Sequence, residues 1–333
     1  MTHYEREKFW NTICSLPGRD ICAEREELLK TIKFPKYLYR YRPVNTKNLE
    51  ALRTNKLYFS SANYYDDPFD TFLHIDIEEL KKEYLSILRF DENAENKINY
   101  VNSLLGGILN KEQLSQFNLE SLKYAQSSNA VDEFLSFALA LRSELKKDVW
   151  SVCFSENGFN ESLWLKYADQ HKGFVLIYDL ENDDNYLCGK QQKCCDCGIK
   201  NFGTPLYPIY YSDSPYNATN FAKFVMLRKA GELKKVSILK EIYESLGAML
   251  WEIERIILIK KECHKYDEEW RMITGCPMKP PILMEWIPSG LILGLKMDLA
   301  EENLVVSLAK AAGIKNIYKS YINAKNELDA YKI

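Results

Sequence analysis

The sequence predicts an α+β fold built on a mixed or antiparallel sheet with helical insertions. Short stretches in which residue types alternate, as in strands, are separated by longer charged, leucine-rich stretches with apolar residues three or four apart, as in helices. A chain of 333 residues with 46% hydrophobic content can bury a sizeable core. We expect a helical N-terminal extension over residues 1–35, a single α+β core domain over 36–297 and a helical C-terminal element over 298–333.

The first strands carry polar side chains. In residues 37–42 tyrosines alternate with leucine and arginine, which predicts a strand with Arg40 and Arg42 on one face. Residues 56–61 predict a second strand, and this strand brings Ser60 close to the first if the two pair. A turn is expected directly after it.

The remaining elements follow from periodicity. Apolar residues at helical spacing predict helical insertions at about 77–147 and 220–260, and a shorter helix carries Trp164 and Tyr167. An amphipathic helix is expected at 298–311, before a short final element. Further strand patterns occupy residues 149–154, 173–178, 269–274 and 290–295.

Charge and hydropathy argue against several classes of protein. With 44 Lys and Arg against 47 Asp and Glu, the net charge of −3 supplies no overall attraction to phosphate backbones or anionic lipid. A local basic patch stays open. The sequence shows neither a signal-peptide pattern at its N-terminus nor a run of about 18 apolar residues. We therefore expect a soluble, cytoplasmic protein that has no membrane partner.

Two pairs of charged residues are candidates for binding. Glu269 and Arg271 would point to the same side of a strand and could face a cleft, but a solvated strand edge is the favoured interpretation of these residues by themselves. Arg40 and Arg42 could clamp a phosphate or a ribose, because guanidinium groups offer several donors in one plane. A salt-bridged surface strand is the alternative.

Serines and absent motifs narrow the chemistry. Ser60 and Ser61 could orient a carboxylate or contact a sugar, but no Gly-x-Ser-x-Gly motif surrounds them, which argues against a serine hydrolase. The chain also lacks a P-loop, a Gly-x-Gly-x-x-Gly fingerprint, a His-Glu-x-x-His motif and the kinase signatures.

Two groups of residues could bind metal, but both have simpler explanations. Asp66, Asp67 and Asp70 surround a proline, with His74 and Asp76 downstream, and this pattern favours an ordinary turn over a cation site. We expect no metal there.

The nine cysteines are expected to be mostly reduced core thiols. Cys188, Cys194 and Cys197 could hold a structural zinc ion with a fourth ligand from Cys263 or His264. Ordinary thiols in a loop are the favoured interpretation, because no second Cys-x-x-Cys pair exists.

Five blocks in order resemble the family called domain of unknown function 2971. They are a tyrosine-arginine strand, a strand ending in serines before a turn, a Cys-Phe-Ser strand, a Trp-x-x-Tyr helix leading to His-x-Gly-Phe, and a late Glu-Trp-Arg strand. Asp66, Lys166 and Asp267 depart from the family pattern, which favours asparagine, histidine and glutamate there. The blocks occupy Tyr39–Arg42, Leu57–Asp70, Cys153–Ser155, Trp164–Phe174 and Asp267–Arg271.

A remoter resemblance is to the ADP-ribosyltransferase superfamily. Its order of a basic residue, a serine and a late glutamate is similar to Arg40, Ser60 or Ser61, and Glu269. This resemblance implies a split sheet and an enzyme that takes NAD as its substrate. The enzyme would transfer ADP-ribose to a protein or nucleic acid, as a toxin or an antiphage effector, and an antitoxin could be its partner.

The same resemblance implies roles for individual residues. Glu269 would position a ribose hydroxyl and activate the acceptor, Arg40 would hold the ribose or pyrophosphate, and Ser60 would orient Glu269. One of three aromatic residues would stack on nicotinamide or adenine. Those aromatic residues are Tyr41, Tyr58 and Trp164, and the other expected NAD contacts are Arg42, Ser61, Tyr167 and Arg271.

Two other functions stay open from the sequence. A non-catalytic module could bind a nucleotide or a protein and use the helical insertions as its interaction surface. An NAD glycohydrolase would use water in place of the macromolecular acceptor.

Overall fold

The computed structural model describes residues 1–18, 20–80, 130–181, 206–222, 251–274 and 283–333, together with positions 112 and 225. Within these residues the chain is α+β with a mixed sheet, as predicted. Most of the two predicted helical insertions lies outside the described residues. The same holds for Cys188, Cys194 and Cys197.

Two helices open the chain, α1 (His3–Ser15) and α2 (Ile21–Leu29). A capping box starts α1, because the side chain of Thr2 accepts from the Glu5 backbone while the Glu5 side chain accepts from the Thr2 backbone. Phe9 and Ile13 are fully buried in the main core, so this N-terminal segment packs directly on the sheet domain.

The described part of the chain contains one large sheet and two small ones. The large sheet has the order β13-β12-β11-β5-β1-β4-β9-β6, with β3 beside β4, and β11/β12 is its one parallel pair among these strands. The small sheets pair β2 with β10 and β7 with β8. The strands are β1 (Tyr37–Arg42), β2 (Lys56–Tyr58), β3 (Ser60–Ser61), β4 (Trp150–Ser155), β5 (Phe174–Asp179), β6 (Leu206–Pro208), β7 (Tyr210–Tyr211), β8 (Ile259–Lys260), β9 (Glu269–Thr274), β10 (Leu283–Glu285), β11 (Gly290–Leu293), β12 (Asn316–Ile322) and β13 (Leu328–Lys332).

Helices pack against several of these strands, as α1 does against β7. The further described helices are α3 (Thr46–Thr54), α4 (Ala130–Asp148), α5 (Glu161–Tyr167), α6 (Glu252–Ile257) and α7 (Leu299–Ala311), with 3-10 turns η1 (Ala62–Tyr64) and η2 (Glu262–Asp267). The predicted strand-helix-strand unit is β4, α5 and β5, and β1 lies between its two strands.

The large sheet opens between β1 and β4. Strand β1 pairs with β5 along its whole length, but its pairing with β4 is limited to Tyr39 opposite Ser155. Strand β4 then pairs with β9 from Trp150 to Ser155. The two halves of the sheet therefore separate beyond Tyr39, and a space is left between their edges.

One expectation about strand pairing and one about the C-terminus are corrected. Strand β2 pairs with β10, and β3 pairs with β4 at Ser60 opposite Ser151, so neither pairs with β1. The C-terminal element is not wholly helical, because β12 and β13 extend the sheet after α7. Ile317 and Ser320 of β12 are buried in the sheet, which the helical prediction for residues 298–333 overlooked.

Gly173 fixes the approach of β5 to the end of β1. A Cβ atom here would lie 2.2 Å from the Arg42 carbonyl oxygen and 2.9 Å from the Ala168 carbonyl oxygen. Because backbone atoms would have to move, we expect Gly173→Ala to lower the free energy of unfolding by about 1–3 kcal/mol. Urea denaturation measures this change, and an unchanged midpoint would contradict the close packing.

Candidate functional site

A cavity of about 690 Å³ lies where the sheet opens between β1 and β4. This volume falls within the range of about 300–1,000 Å³ that is typical of small-molecule sites. Its walls come from β1, β3, β4, β8 and β9, the turn after η1, and the end of α5. The lining includes Arg40, Arg42, Tyr64, Asp70, Cys153, Tyr167, Lys260, Asp267, Glu269 and Arg271.

The structure brings most of the predicted site residues to this cavity. The predicted residues that line it are Arg40, Tyr41, Arg42, Ser60, Tyr167, Glu269 and Arg271. Residues from blocks more than 200 positions apart in the sequence thus share one site. The predicted residues that do not line it are Tyr58, Ser61 and Trp164.

Trp164 is not placed to stack on a ligand. Its side chain is fully buried, and its Nε1 donates to the Gly158 carbonyl at 3.0 Å. The indole stacks on His171, meets the Tyr41 ring at nearly a right angle, and belongs to a buried cluster with Tyr41. His171 itself lies beyond the end of α5, in a stretch with positive φ.

Tyr58 and Ser61 have local roles. The Tyr58 backbone carbonyl accepts from Nη2 of Arg40 at 3.1 Å, and this hydrogen bond helps to hold the guanidinium group in place. The Ser61 hydroxyl donates to the Lys146 carbonyl at 2.9 Å and accepts from the Asn63 backbone, so it caps η1. Neither side chain contributes to the cavity wall.

Glu269 is held by two cations. Its Oε1 accepts from Nε of Arg271 at 2.6 Å, and its Oε2 accepts from Nζ of Lys260 at 2.8 Å. Burial by itself would raise the pKa of Glu269, but the two cations outweigh burial and hold the pKa below its ordinary value. Ser60 lines the cavity, but the carboxylate partners are Lys260 and Arg271. Lys260 and Arg271 thus orient the carboxylate here, and a role of Ser60 in orienting it stays a prediction.

Arg271 connects Glu269 to a second carboxylate. Its Nη1 and Nη2 donate to the two oxygens of Asp70 at 2.8 and 2.5 Å, and Nη1 also donates to the Ile257 carbonyl at 2.8 Å. The guanidinium lies 5.1 Å from the centre of the Tyr65 ring. Arg271 is 1% exposed, so this network lies almost wholly out of water.

These groups form a buried cluster with excess negative charge. We call Asp70, Lys260, Asp267, Glu269 and Arg271 the ionic cluster. Lys260 lies 3.5 Å from Asp70 and 3.7 Å from Asp267, in addition to its bond with Glu269. Three carboxylates thus face two cations. The ionic cluster therefore has a net charge of about −1 if every member is ionised.

A neighbouring pair does not reverse this sign. His264 lies 3.2 Å from Asp67 and 3.6 Å from Asp267. If His264 is protonated, its charge offsets that of Asp67. If His264 is neutral, the carboxylate of Asp67 adds one more negative charge. This side of the cavity stays negative in both states.

Arg40 presents the opposite situation. It is 7% exposed, and its Nε has no hydrogen-bond partner among the residues that the structure describes. None of the ion pairs found in the described part of the chain includes Arg40 or Arg42. Burial holds the pKa of Arg40 below its ordinary value. A buried guanidinium without a carboxylate partner makes this end of the cavity cationic, and Arg42 lines the same end from β1.

Sequence reasoning missed Lys260 and misread Asp70. Lys260 follows the apolar run 256–259 directly, and a lysine that ends such a run on a short strand is a signal for an inward-facing cation. Asp70 was assigned to a turn or a cation site. Its partner Arg271 lies 201 residues later in the sequence, beyond the reach of any local pattern.

Cys153 lines the cavity but is not a reactive thiol. Burial, with Glu269 nearby, raises the pKa of Cys153 to about 12. Because the thiolate is the nucleophile, we expect iodoacetamide at pH 8 to leave Cys153 unmodified while it alkylates the exposed Cys263. Peptide mass spectrometry measures both, and equal modification rates would contradict this expectation.

Neither metal ligation nor membrane insertion is indicated in the described residues. They contain no group of three or more His, Cys, Asp or Glu side chains placed to hold a metal ion. No helix among them combines the length and the apolar character needed to cross a membrane.

Comparisons with protein-family models, with curated proteins and with solved structures find no significant match. The resemblances to the domain of unknown function 2971 and to the ADP-ribosyltransferase superfamily therefore stay predictions. They rest on the residues of this chain alone.

Proposed function

We propose that this protein binds NAD in the cavity and transfers ADP-ribose to a macromolecular acceptor. The observation that carries this proposal is the separation of charge across the cavity. Arg40 and Arg42 on β1 supply uncompensated positive charge, whereas the ionic cluster around Glu269 supplies excess negative charge. NAD has the complementary pattern, with an anionic pyrophosphate and a cationic nicotinamide ring.

The spacing of the two ends suits such a ligand. Arg40 lies on β1 and Glu269 on β9, with β4 between them. Neighbouring strands lie about 4.8 Å apart, so strands on either side of a third are separated by about 10 Å or more. A mononucleotide unit with its phosphates spans this distance, which a small anion alone does not.

Arg40 would bind the pyrophosphate. Arg40 has no counter-charge among the described residues, and a phosphate group in the cavity would supply one to this buried cation. Arg42, at the same end, would add a second donor. The desolvation of Arg40 is thus already present before the ligand arrives, and this strengthens the ion pair that forms on binding.

Glu269 would act on the nicotinamide ribose. Each carboxylate oxygen has two acceptor positions, and Lys260 and Arg271 occupy one on each oxygen. A ribose hydroxyl can therefore still donate to Glu269. As the bond between nicotinamide and ribose breaks, nicotinamide leaves with the electron pair, and the negative cluster stabilises the oxocarbenium-like transition state. The acceptor then forms the new bond to ribose and loses its proton.

Aromatic contacts come from a corrected set of residues. Tyr167 and Tyr64 line the cavity with 41% and 77% of their surface exposed, so their rings are open to a ligand. Burial raises the pKa of Tyr167 to about 12, and its hydroxyl stays neutral at physiological pH. These two rings replace Trp164 as the proposed stacking surfaces for nicotinamide or adenine.

A second candidate function is supported by a specific observation. Both oxygens of Glu269 are already in buried ion pairs, and a carboxylate held in this way can serve folding alone. The cavity would then belong to a non-catalytic nucleotide-binding module. NAD would bind but would not turn over.

Incubation with NAD labelled in its adenylate phosphate and a cell extract tests the proposal. We expect nicotinamide release together with label on macromolecules, and protease or nuclease treatment then identifies the acceptor class. Free ADP-ribose without label transfer would indicate an NAD glycohydrolase. Binding without nicotinamide release would support the non-catalytic module. A transferase of this kind suits a toxin or antiphage effector, and its expression would arrest the growth of a host cell.

A further inference from the structure

Asp70 belongs to the ionic cluster and lines the cavity, but none of the NAD contacts proposed above involves it. Asp70 bonds both terminal nitrogens of Arg271, and it also lies 3.5 Å from Lys260. Arg271 and Lys260 are the two cations that hold Glu269. Asp70 is thus in contact with both supports of the proposed catalytic carboxylate.

We infer that Asp70 is a positioning residue, which fixes Arg271 and through it the carboxylate of Glu269. This inference rests on the proposed reaction with NAD. The guanidinium is planar and rigid, so holding its two terminal nitrogens on Asp70 also sets the direction of Nε. Nε is the atom that donates to Glu269 at 2.6 Å. The orientation of Glu269 is therefore determined by a residue 199 positions earlier in the chain.

The backbone at the turn is strained in a way that supports this role. Thr71 has φ of 54°, although it is β-branched and 1% exposed. Such a conformation is unfavourable for a β-branched residue and is retained where surrounding contacts over-determine it. The Thr71 hydroxyl bonds Asp70 at 3.1 Å, and Lys146 bonds the Pro68 carbonyl at 2.7 Å. The strained turn holds Asp70 in one orientation.

Asp70→Asn and Arg271→Lys test the inference together. The first removes one charge from the ionic cluster, whereas the second keeps the charge and removes the rigid fork. We expect each to lower kcat for nicotinamide release about tenfold to a hundredfold, since small misplacements of a reacting group have effects of this size. The Kd for NAD is expected to change less than about threefold in Arg271→Lys, because Arg40 is untouched.

The matched control is Glu50→Gln on the surface of α3. Glu50 and Arg53 also form a carboxylate-arginine pair with two hydrogen bonds, at 2.7 and 2.8 Å through Nη2 and Nε, but both side chains are about half exposed. We expect kcat and the Kd for NAD to be unchanged. Unchanged kcat in Arg271→Lys would overturn the positioning role, and this variant decides the kinetic test if Asp70→Asn does not fold.

A measurement without turnover separates this inference from the proposed function. In nitrogen-15 spectra, the Nε–H signal of Arg271 should exchange slowly with water in the unsubstituted protein and at least tenfold faster in Asp70→Asn. Slow exchange in both proteins would overturn the inference, even if NAD is turned over. The unsubstituted protein could also be inactive while Asp70→Asn still speeds the exchange of the Arg271 Nε–H. That result would reject the proposed function, but it would support the conclusion that Asp70 holds Arg271.

Discussion

Glu269→Gln is expected to lower the rate of nicotinamide release about a hundredfold to a thousandfold, the range found when one group that stabilises transition-state charge is removed. Glutamine keeps the shape of the side chain, but it removes the negative charge that faces the ribose. The ionic cluster would then contain Asp70 and Asp267 against Lys260 and Arg271. Its excess negative charge would be lost. Nicotinamide release measured by chromatography gives the rate.

Glu268→Gln is the matched control for this substitution. Glu268 precedes Glu269 directly, but it caps η2 with positive φ and does not line the cavity. We expect wild-type turnover from this variant, with circular dichroism confirming that both variants fold. A Glu269→Gln protein that releases nicotinamide at the wild-type rate would remove Glu269 from the mechanism and reject the proposed chemistry.

The stability of the Glu269→Gln variant should depend less on acid pH than that of the unsubstituted protein. The pKa of Glu269 lies below its ordinary value in the folded state, so its ion pairs stabilise the fold above the unfolded pKa of about 4.3. That contribution is lost as pH falls through the folded pKa. Below pH 4, the unfolding midpoint of the Glu269→Gln variant should therefore fall less steeply with decreasing pH than that of the unsubstituted protein. Parallel curves would show that Glu269 contributes nothing to acid sensitivity.

The elements around the site could be predicted because their patterns are local. Alternation in residues 37–42 and 269–274 identified β1 and β9, and it placed Arg271 on the same side as Glu269. Period-two alternation fixes which side chains share a face, whatever the sheet order is. The sheet order depends on contacts between distant segments. For that reason the pairing of β3 with β4 was not predicted.

The burial of Trp164 and the partner of Asp70 could not be read from the sequence. An aromatic residue at helical spacing has the same pattern whether it faces a ligand or a core, and here Trp164 is fully buried in contact with Tyr41 and His171. In the sequence, Asp70 ends an Asp-Asp-Pro-Phe-Asp stretch and cannot be told from any other aspartate in a turn. Only the three-dimensional approach of Arg271 distinguishes it.

Arg40→Met is expected to stabilise the folded protein while it weakens NAD binding. Arg40 is 7% exposed and has no carboxylate partner among the described residues, so only neutral groups, the Tyr58 carbonyl and the Tyr178 hydroxyl, offset the desolvation of its charge. Methionine fills a similar volume without that penalty, and replacing buried charged groups in this way stabilises proteins by about 1–4 kcal/mol. Removal of hydrogen bonds from a charged donor should weaken NAD binding about tenfold to a hundredfold.

Opposite signs in these two measurements are what separate a binding role from a structural one. If Arg40 served only folding, its replacement would lower the stability of the protein and leave the Kd for NAD nearly unchanged. Arg53→Met is the matched control, because Arg53 is exposed on α3 and pairs with Glu50, and we expect it to alter neither quantity appreciably. Thermal unfolding and calorimetric titration with NAD measure the two effects. A gain in stability with unchanged affinity would mean that Arg40 is desolvated for a ligand other than NAD.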